Sequence, residues 1–229
     1  MIKKINHYFT KSEIILWSAS VILILLSFIF FDRGNFMTLA ASLIGVTSLI
    51  FNAKGNPFGQ FLIIIFSILY GIISYSFSYY GEMITYLGMT MPMAVLSLIS
   101  WLKNPYHGNK LSVKMNKIKV REIIFMFVLA AFVTLAFYYI LKAFHTNNLF
   151  FSSLSITTSF IAAYLTFRRS SYFAIAYALN DIVLIILWSL AAVSDITYIS
   201  VTICFVIFFI NDIYGFVNWI RMEKAQKAK

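Results

Sequence analysis

Apolar stretches close to twenty residues long, separated by short polar turns, run from one end of the chain to the other. Eight can be marked out, at 13–31, 36–53, 58–79, 83–102, 122–141, 149–167, 172–193 and 196–220. Each has about the length an α-helix needs to cross a hydrocarbon layer of roughly 30 Å at ~1.5 Å per residue. The pattern predicts an all-α polytopic membrane protein. The first run follows Lys11 and two earlier lysines, Lys3 and Lys4, as a signal peptide would. It ends, however, in Phe30-Phe31-Asp32-Arg33 without a small-residue cleavage site, and is read as a span.

Composition agrees: 61% of the 229 residues are hydrophobic, 11% are charged, and the mean hydropathy is +0.86. The single cysteine, Cys204, lies inside an apolar run, while His7, His107 and His145 lie outside them. Neither a disulfide framework nor a thiolate metal site can be built from that set, and haem or intramembrane metal chemistry is disfavoured. No lysine sits inside a span to form a retinal Schiff base, and no GxxxxGK[ST] loop is present to cradle ATP. No nucleophile and base pair accompanies the intramembrane acids. An enzyme is therefore not expected, and no cofactor.

Charge fixes the expected orientation. With eight spans, sixteen of the eighteen Lys and Arg residues fall on one side, and only Arg33 and Lys142 on the other. Cytoplasmic loops are enriched in basic residues, so both termini are expected in the cytoplasm. The net charge of +10 is accounted for by this asymmetry, and nucleic-acid binding is not indicated. The basic, acid-free loop 104–121 is expected to lie on anionic headgroups.

The chain also repeats. Residues 54–103 and 169–221 share a basic turn, a helix opening near Phe58 or Phe173, a short outer loop, and a closing Trp-aliphatic-basic triplet, Trp101-Leu102-Lys103 and Trp219-Ile220-Arg221. Adding one span upstream of each gives two three-helix units of like orientation, joined by one span and preceded by another. The expected organisation is a first helix with its cytoplasmic lead (1–35), a first repeat (36–103), a basic loop and linker helix (104–146), a second repeat (147–221) and a basic tail (222–229).

Two acids stand out within this frame. Asp181 and Asp212 each follow an asparagine, Asn180 and Asn211, deep inside apolar runs that contain no Lys or Arg. A charge there costs roughly 2.5–3.5 kcal/mol on insertion scales and normally marks a binding site or pathway. Counting from Arg169 and Arg221, both pairs lie roughly 15–16 Å from the cytoplasmic edge at ~1.5 Å per residue, at matching depth near the midplane. Tyr177 and Trp188 accompany the first pair, and Tyr214, Asn218 and Trp219 the second. Asn211, Tyr214 and Asn218 share one helical face, from which Asp212 is displaced by about 100°. For Asn218 and Trp219, close to the interface, hydrogen bonding between helices is the expected role. Amides suit hydroxyl or amide ligands, aromatic rings offer stacking surfaces, and carboxylates attract a cation. A small aromatic cation carrying a sugar meets all three.

At these residues the chain resembles the PnuC family of vitamin-precursor transporters, known for nicotinamide riboside uptake. The likeness runs over residues 36–221. It is carried by the basic turn and helix from Arg168 through Tyr177-Ala178-Leu179-Asn180-Asp181 and by Asn211-Asp212-Ile213-Tyr214-Gly215-Phe216-Val217-Asn218-Trp219. Gly55-Asn56-Pro57-Phe58-Gly59 and the segment from Tyr80-Gly81-Glu82 to Tyr86 in the first repeat also fit. The resemblance implies a 3+1+3 core with a free-standing first helix, as in a full-length SWEET-like transporter, and a homotrimer in the bacterial inner membrane. It implies facilitated diffusion of nicotinamide riboside, trapped inside by a cytoplasmic kinase, with Asn180 and Asn211 as substrate-binding asparagines. Two segments depart from the family pattern. Tryptophans expected before Asn180 are replaced by Phe173, Ala176 and Tyr177, and a glutamine of the third core helix by Tyr86 or Leu87. Thiamine and riboflavin are the alternative vitamins, a proton-coupled carrier using Asp181 and Asp212 is the alternative mechanism, and a non-transporting receptor or assembly subunit is the alternative class.

Overall fold

A computed structural model describes residues 8–76 and 80–228, so Lys3, Lys4, His7, Lys229 and the last residues of the third expected span (77–79) lie outside the described residues. Eight helices within it are long and apolar enough to cross a membrane. They are α1 (Lys11–Phe31), α2 (Phe36–Ala53), α3 (Phe58–Ser76), α4 (Tyr80–Lys103), α5 (Val120–Ala143), α6 (Leu149–Phe167), α7 (Phe173–Ala192) and α8 (Ile199–Lys227). The starts are chemically marked. Thr10 and Glu13 form a reciprocal capping box on α1, Asn35 caps α2 through Thr38 N, and Asp195 caps the 3₁₀ turn that leads into α8.

One helix departs from regular geometry. In α4 the segment Tyr86–Thr90 is a π turn, and the N–H of Met91 reaches back to Tyr86 O. Pro92, which has no N–H to donate, follows at once, so the hydrogen-bond ladder is already short of a donor where the turn widens. Between α4 and α5 the basic loop has regular structure, with Lys110, Lys114, Lys117 and Lys119 exposed. It folds into a hairpin of β1 (Pro105–Tyr106) and β2 (Asn109–Val113), turned by His107 and Gly108, both at positive φ.

Helix neighbours reveal the symmetry. Within the first repeat α2 packs on α3 and α3 on α4; within the second α6 packs on α7 and α7 on α8. Across the repeats the first helix of each meets the last helix of the other, α2 with α8 and α4 with α6. The first helix is not free-standing: α1 packs against α2 and α8, much as α5 packs against α6 and the start of α4.

The same atoms are used twice at the basic end. Trp219 Nε1 donates to Asn52 O (2.8 Å) at the end of α2, and Trp101 Nε1 donates to Thr166 O (2.9 Å) at the end of α6. Asn218 Nδ2 then donates to Ala53 O and Ser100 Oγ to Phe167 O, each at 2.8 Å. After each of these helix ends comes a residue at positive φ, Gly55 and Arg169. Glu13 at the start of α1 pairs with Lys54, and Glu122 at the start of α5 pairs with Arg168. The hairpin strand and its continuation bridge the two turns, Val113 N donating to Gly55 O (3.0 Å) and Asn116 N to Arg169 O (3.1 Å). Trp101, Trp219 and Val113 are fully buried where these elements meet.

A cavity between the repeats

The cavity sits above that sealed end, between the two repeats, with a volume of about 80 Å³. Residues at i, i+3, i+4 and i+7 share a helix face, and α7 turns Tyr177, Asn180, Asp181 and Leu184 inward together. From α8 come Phe205, Phe208 and Asp212; from α2 and α3 come Asn52, Gln60 and Phe66. The π turn of α4 brings Tyr86, with Glu82, Thr85 and Thr90 above and below it. Three carboxyl groups therefore line one space, and among the lining residues there is no Lys, Arg or His.

Local hydrogen bonds set what each group can offer. Asn180 Oδ1 accepts from Thr158 Oγ1 (2.8 Å) and from Ser159 Oγ (2.9 Å), which fixes the amide plane and turns its N–H₂ to other partners. Gln60 Nε2 donates to Asn52 Oδ1 (2.8 Å), leaving the Gln60 oxygen and the Asn52 N–H₂ as complementary handles. Asp181 and Asp212 come within hydrogen-bonding reach of each other, and Asp181 Oδ2 is buried without a partner. Two facing carboxylates repel when both are charged, and a proton between them or a cation beside them relieves that repulsion. Around them stand the rings of Phe66, Tyr70, Tyr86, Phe205 and Phe208, in edge or tilted contact at 4.6–6.4 Å between centroids.

Of the residues singled out from sequence, Asn180, Asp181, Asp212, Tyr177 and Tyr86 converge on this cavity. The structure places the other three elsewhere. Asn211 Nδ2 donates to Ser20 Oγ on α1 (3.0 Å) and to Ile207 O (2.8 Å), so this asparagine faces α1. Tyr214 donates its hydroxyl to Glu13 Oε1 (3.1 Å), also on α1. Trp188 lies further along α7, beside a second space away from the basic end. The shared face of Asn211, Tyr214 and Asn218 is real, but α1 and α2 occupy it, and the displaced Asp212 is the one that reaches the cavity. Asn218 and Trp219 serve as interhelical hydrogen-bond donors, as their place near the interface suggested.

Sequence reasoning missed Asn52, Gln60, Glu82, Thr158 and Ser159. A signal was available for three of them: Asn52 and Gln60 flank one basic turn eight residues apart, and Glu82 is a third acid between apolar runs. The hydroxyls of Thr158 and Ser159 carried none, because such side chains in apolar helices usually bond their own backbone, as Thr158 also does to Leu154 O.

Comparison with known proteins accords with this architecture. A crystal structure of the vitamin B3 transporter PnuC superposes with a TM-score of 0.82 over 95% of this chain and 94% of that one, at 21% identity, which establishes the fold. The nicotinamide riboside transporter PnuC of Neisseria mucosa is 24% identical over 205 residues, 87% of this chain and 77% of the relative. The profile of the nicotinamide mononucleotide transporter family matches residues 35–221. With the fold and the family profile in agreement, the chain belongs to the nicotinamide mononucleotide transporter family, a family of membrane transporters and not of enzymes.

Proposed function

We propose that the chain carries nicotinamide riboside across the membrane by facilitated diffusion, binding it in the cavity between the repeats. The observation that carries this reading is a cavity lined by Glu82, Asp181 and Asp212, by three amide side chains and by aromatic rings, with no basic residue. A pyridinium ring gains from carboxylates and from ring faces, its carboxamide and ribose hydroxyls match Asn52, Gln60 and Asn180, and nothing in the lining repels a cation. The same lining disfavours a mononucleotide: a phosphate at ~5 Å from one carboxylate is opposed by about 3 kcal/mol at an effective dielectric of about 20. The riboside is thus a better match than its phosphate, and a better match than neutral riboflavin.

In this reading the basic end faces the cytoplasm of a bacterial cell, where a kinase phosphorylates the riboside and so prevents its return. Exposed apolar side chains on α1 and α5, such as Ile15, Phe30, Phe125 and Phe132, suit lipid and the further copies of a homotrimer. The test is uptake of labelled nicotinamide riboside into proteoliposomes, competed by unlabelled riboside, thiamine, riboflavin and nicotinamide mononucleotide. Saturable uptake blocked only by the riboside supports the proposal; uptake blocked by thiamine reassigns the vitamin, and no uptake of any of them rejects it. The contact between Asp181 and Asp212 favours a second mechanism, proton coupling, which predicts accumulation driven by an imposed pH gradient. Uptake that only equilibrates, with or without the gradient, rejects coupling.

A further inference from the structure

Glu82 takes no part in the paired arrangement of the two aspartates and stands apart from them on another helix. It lies in the first turn of α4, 6% exposed. A helix N-terminus favours negative charge, so a carboxylate is tolerated at this depth where a base would not be. Its position is held tightly, because a Cβ added at the preceding Gly81 would fall 2.4 Å from Thr146 Oγ1 and 2.6 Å from Leu141 Cδ2. The start of α4 is therefore packed backbone-close against the α5–α6 connection.

Beyond Glu82, away from the basic end, opens a second space of about 440 Å³, bordered by Thr146, Asn147, Asn148, Ser152, Trp188 and Ser194. Glu82 alone among the described residues borders both this vestibule and the central cavity. Among the described residues no ion pair involves it. One turn further along α4 comes Tyr86, at the head of the π turn, inside the cavity. π turns often mark functional sites.

We infer that Glu82 is a specificity-determining residue at the outer mouth of the cavity, the first carboxylate met by an incoming cation, and that it sets the preference for a cationic over a neutral riboside. The inference rests on the transport reading above. A ligand leaving the vestibule passes this carboxylate before it reaches Asp181 and Asp212. A cation is drawn onto it from a space with no competing base among its described lining residues, and an uncharged analogue of the same shape gains nothing there.

The test uses two substrates of nearly equal shape, nicotinamide riboside and its uncharged 1,4-dihydro form, with the full chain in proteoliposomes. For Glu82→Gln the ratio of kcat/KM for the cation to that for the neutral form should fall roughly tenfold, the scale of one charge at roughly 10 Å in an effective dielectric of about 20. The loss should fall on KM for the cation, and Glu82→Asp should restore most of the preference. Equal losses for both substrates would assign Glu82 a structural role and overturn the inference, as would an unchanged ratio. If Glu82→Gln does not fold, Glu82→Cys treated from the vestibule side keeps the question answerable. A sulfonatoethyl thiol reagent should raise the cation preference and a methyl thiol reagent should not; equal responses overturn the inference. Failure of the wild-type protein to take up the riboside would reject the transport reading itself, and with it this inference; wild-type uptake with an unaltered ratio in the variants rejects the role of Glu82 alone.

Discussion

The two halves of the molecule, α1–α4 and α5–α8, repeat one bonding pattern at one end and part company at mid-depth. At the basic end Trp101 and Trp219 donate to equivalent carbonyls, Ser100 and Asn218 to the next ones, and Glu13 and Glu122 pair with the bases that follow. Further in, the positions on α3 that correspond to Asn180-Asp181, counted from the matched turns, are Phe66-Ser67. Those on α4 that correspond to Asn211-Asp212, counted from the matched tryptophans, are Met93-Ala94. The second half carries the paired acids and the first half carries apolar and small residues in their place. The first half compensates with Asn52, Gln60 and Glu82, which have no polar counterparts that line the cavity. A twofold scaffold has thus been kept where it holds the helices together and abandoned where it would have produced a symmetric site. The proposed ligand, nicotinamide riboside, has no twofold symmetry, and an asymmetric lining suits it.

The sharpest test of this contrast compares acids with their counterparts. Asp212→Leu should lower riboside kcat/KM by about 100-fold, on the scale of a lost charged hydrogen bond of up to ~3 kcal/mol. Ala94→Ser, at the matching place on α4, should change it by less than about threefold. Similar effects at both positions in proteoliposome uptake would remove the functional asymmetry.

Glycines give the next largest difference. A Cβ on Gly59 would lie 2.3 Å from Asn52 Oδ1 and 2.7 Å from its backbone N, whereas on Gly215 the nearest atom is Ala174 Cβ at 3.5 Å. Gly59→Ala should therefore lose about 1–3 kcal/mol through overpacking, and Gly215→Ala little, read as Tm in detergent. Gly59→Ala should also disturb uptake, because the atoms it displaces hold Gln60.

The tryptophans test the part that is symmetric. Trp101→Phe and Trp219→Phe each remove the indole donor from a carbonyl that keeps a backbone N–H, Arg169 N on Thr166 O and Gly55 N on Asn52 O, and each leaves a void in a fully buried cluster; each should lose about 1–3 kcal/mol. Their rings are in contact, with centroids 5.4 Å apart, so the double variant should depart from the sum of the two singles. Very unequal single effects would show that the two ends of the seam are not energetically equivalent.

Smallest is the effect at the ion pairs. Each acid also accepts from a tyrosine, Glu13 from Tyr214 and Glu122 from Tyr164, but Glu13 is 2% exposed and Glu122 20%. Glu13→Gln should be the more destabilising, by about 1–2 kcal/mol, and Glu122→Gln should lose less than about 1 kcal/mol, because solvent screens the more exposed pair. The difference would be read in the same Tm assay.

Much of the fold is legible in the amino-acid sequence. Apolar run length marks the spans to within a few residues, since the thickness of a hydrocarbon layer leaves a helix little choice of length. Unpaired acids inside those runs point to Asp181 and Asp212, and helical periodicity separates Asp212 from the face of Asn211, Tyr214 and Asn218. What periodicity cannot supply is the neighbour of each face. Asn211 and Tyr214 look like ligand contacts if α1 stands apart; Ser20 and Glu13 on α1 instead hold them. Gln60 and Asn52 become site residues only because the turn between α2 and α3 brings them into one hydrogen bond facing the cavity. The basic loop reads as a chain of surface charges, and only packing shows Val113 fully buried in one cluster with the two tryptophans. Hydrophobicity and charge along the chain decide which segments enter the membrane, because that is a partition between two solvents read one segment at a time. Which polar groups meet across the interior is a property of helices packed in three dimensions, and for this protein it was the tertiary structure that separated the cavity from the seams.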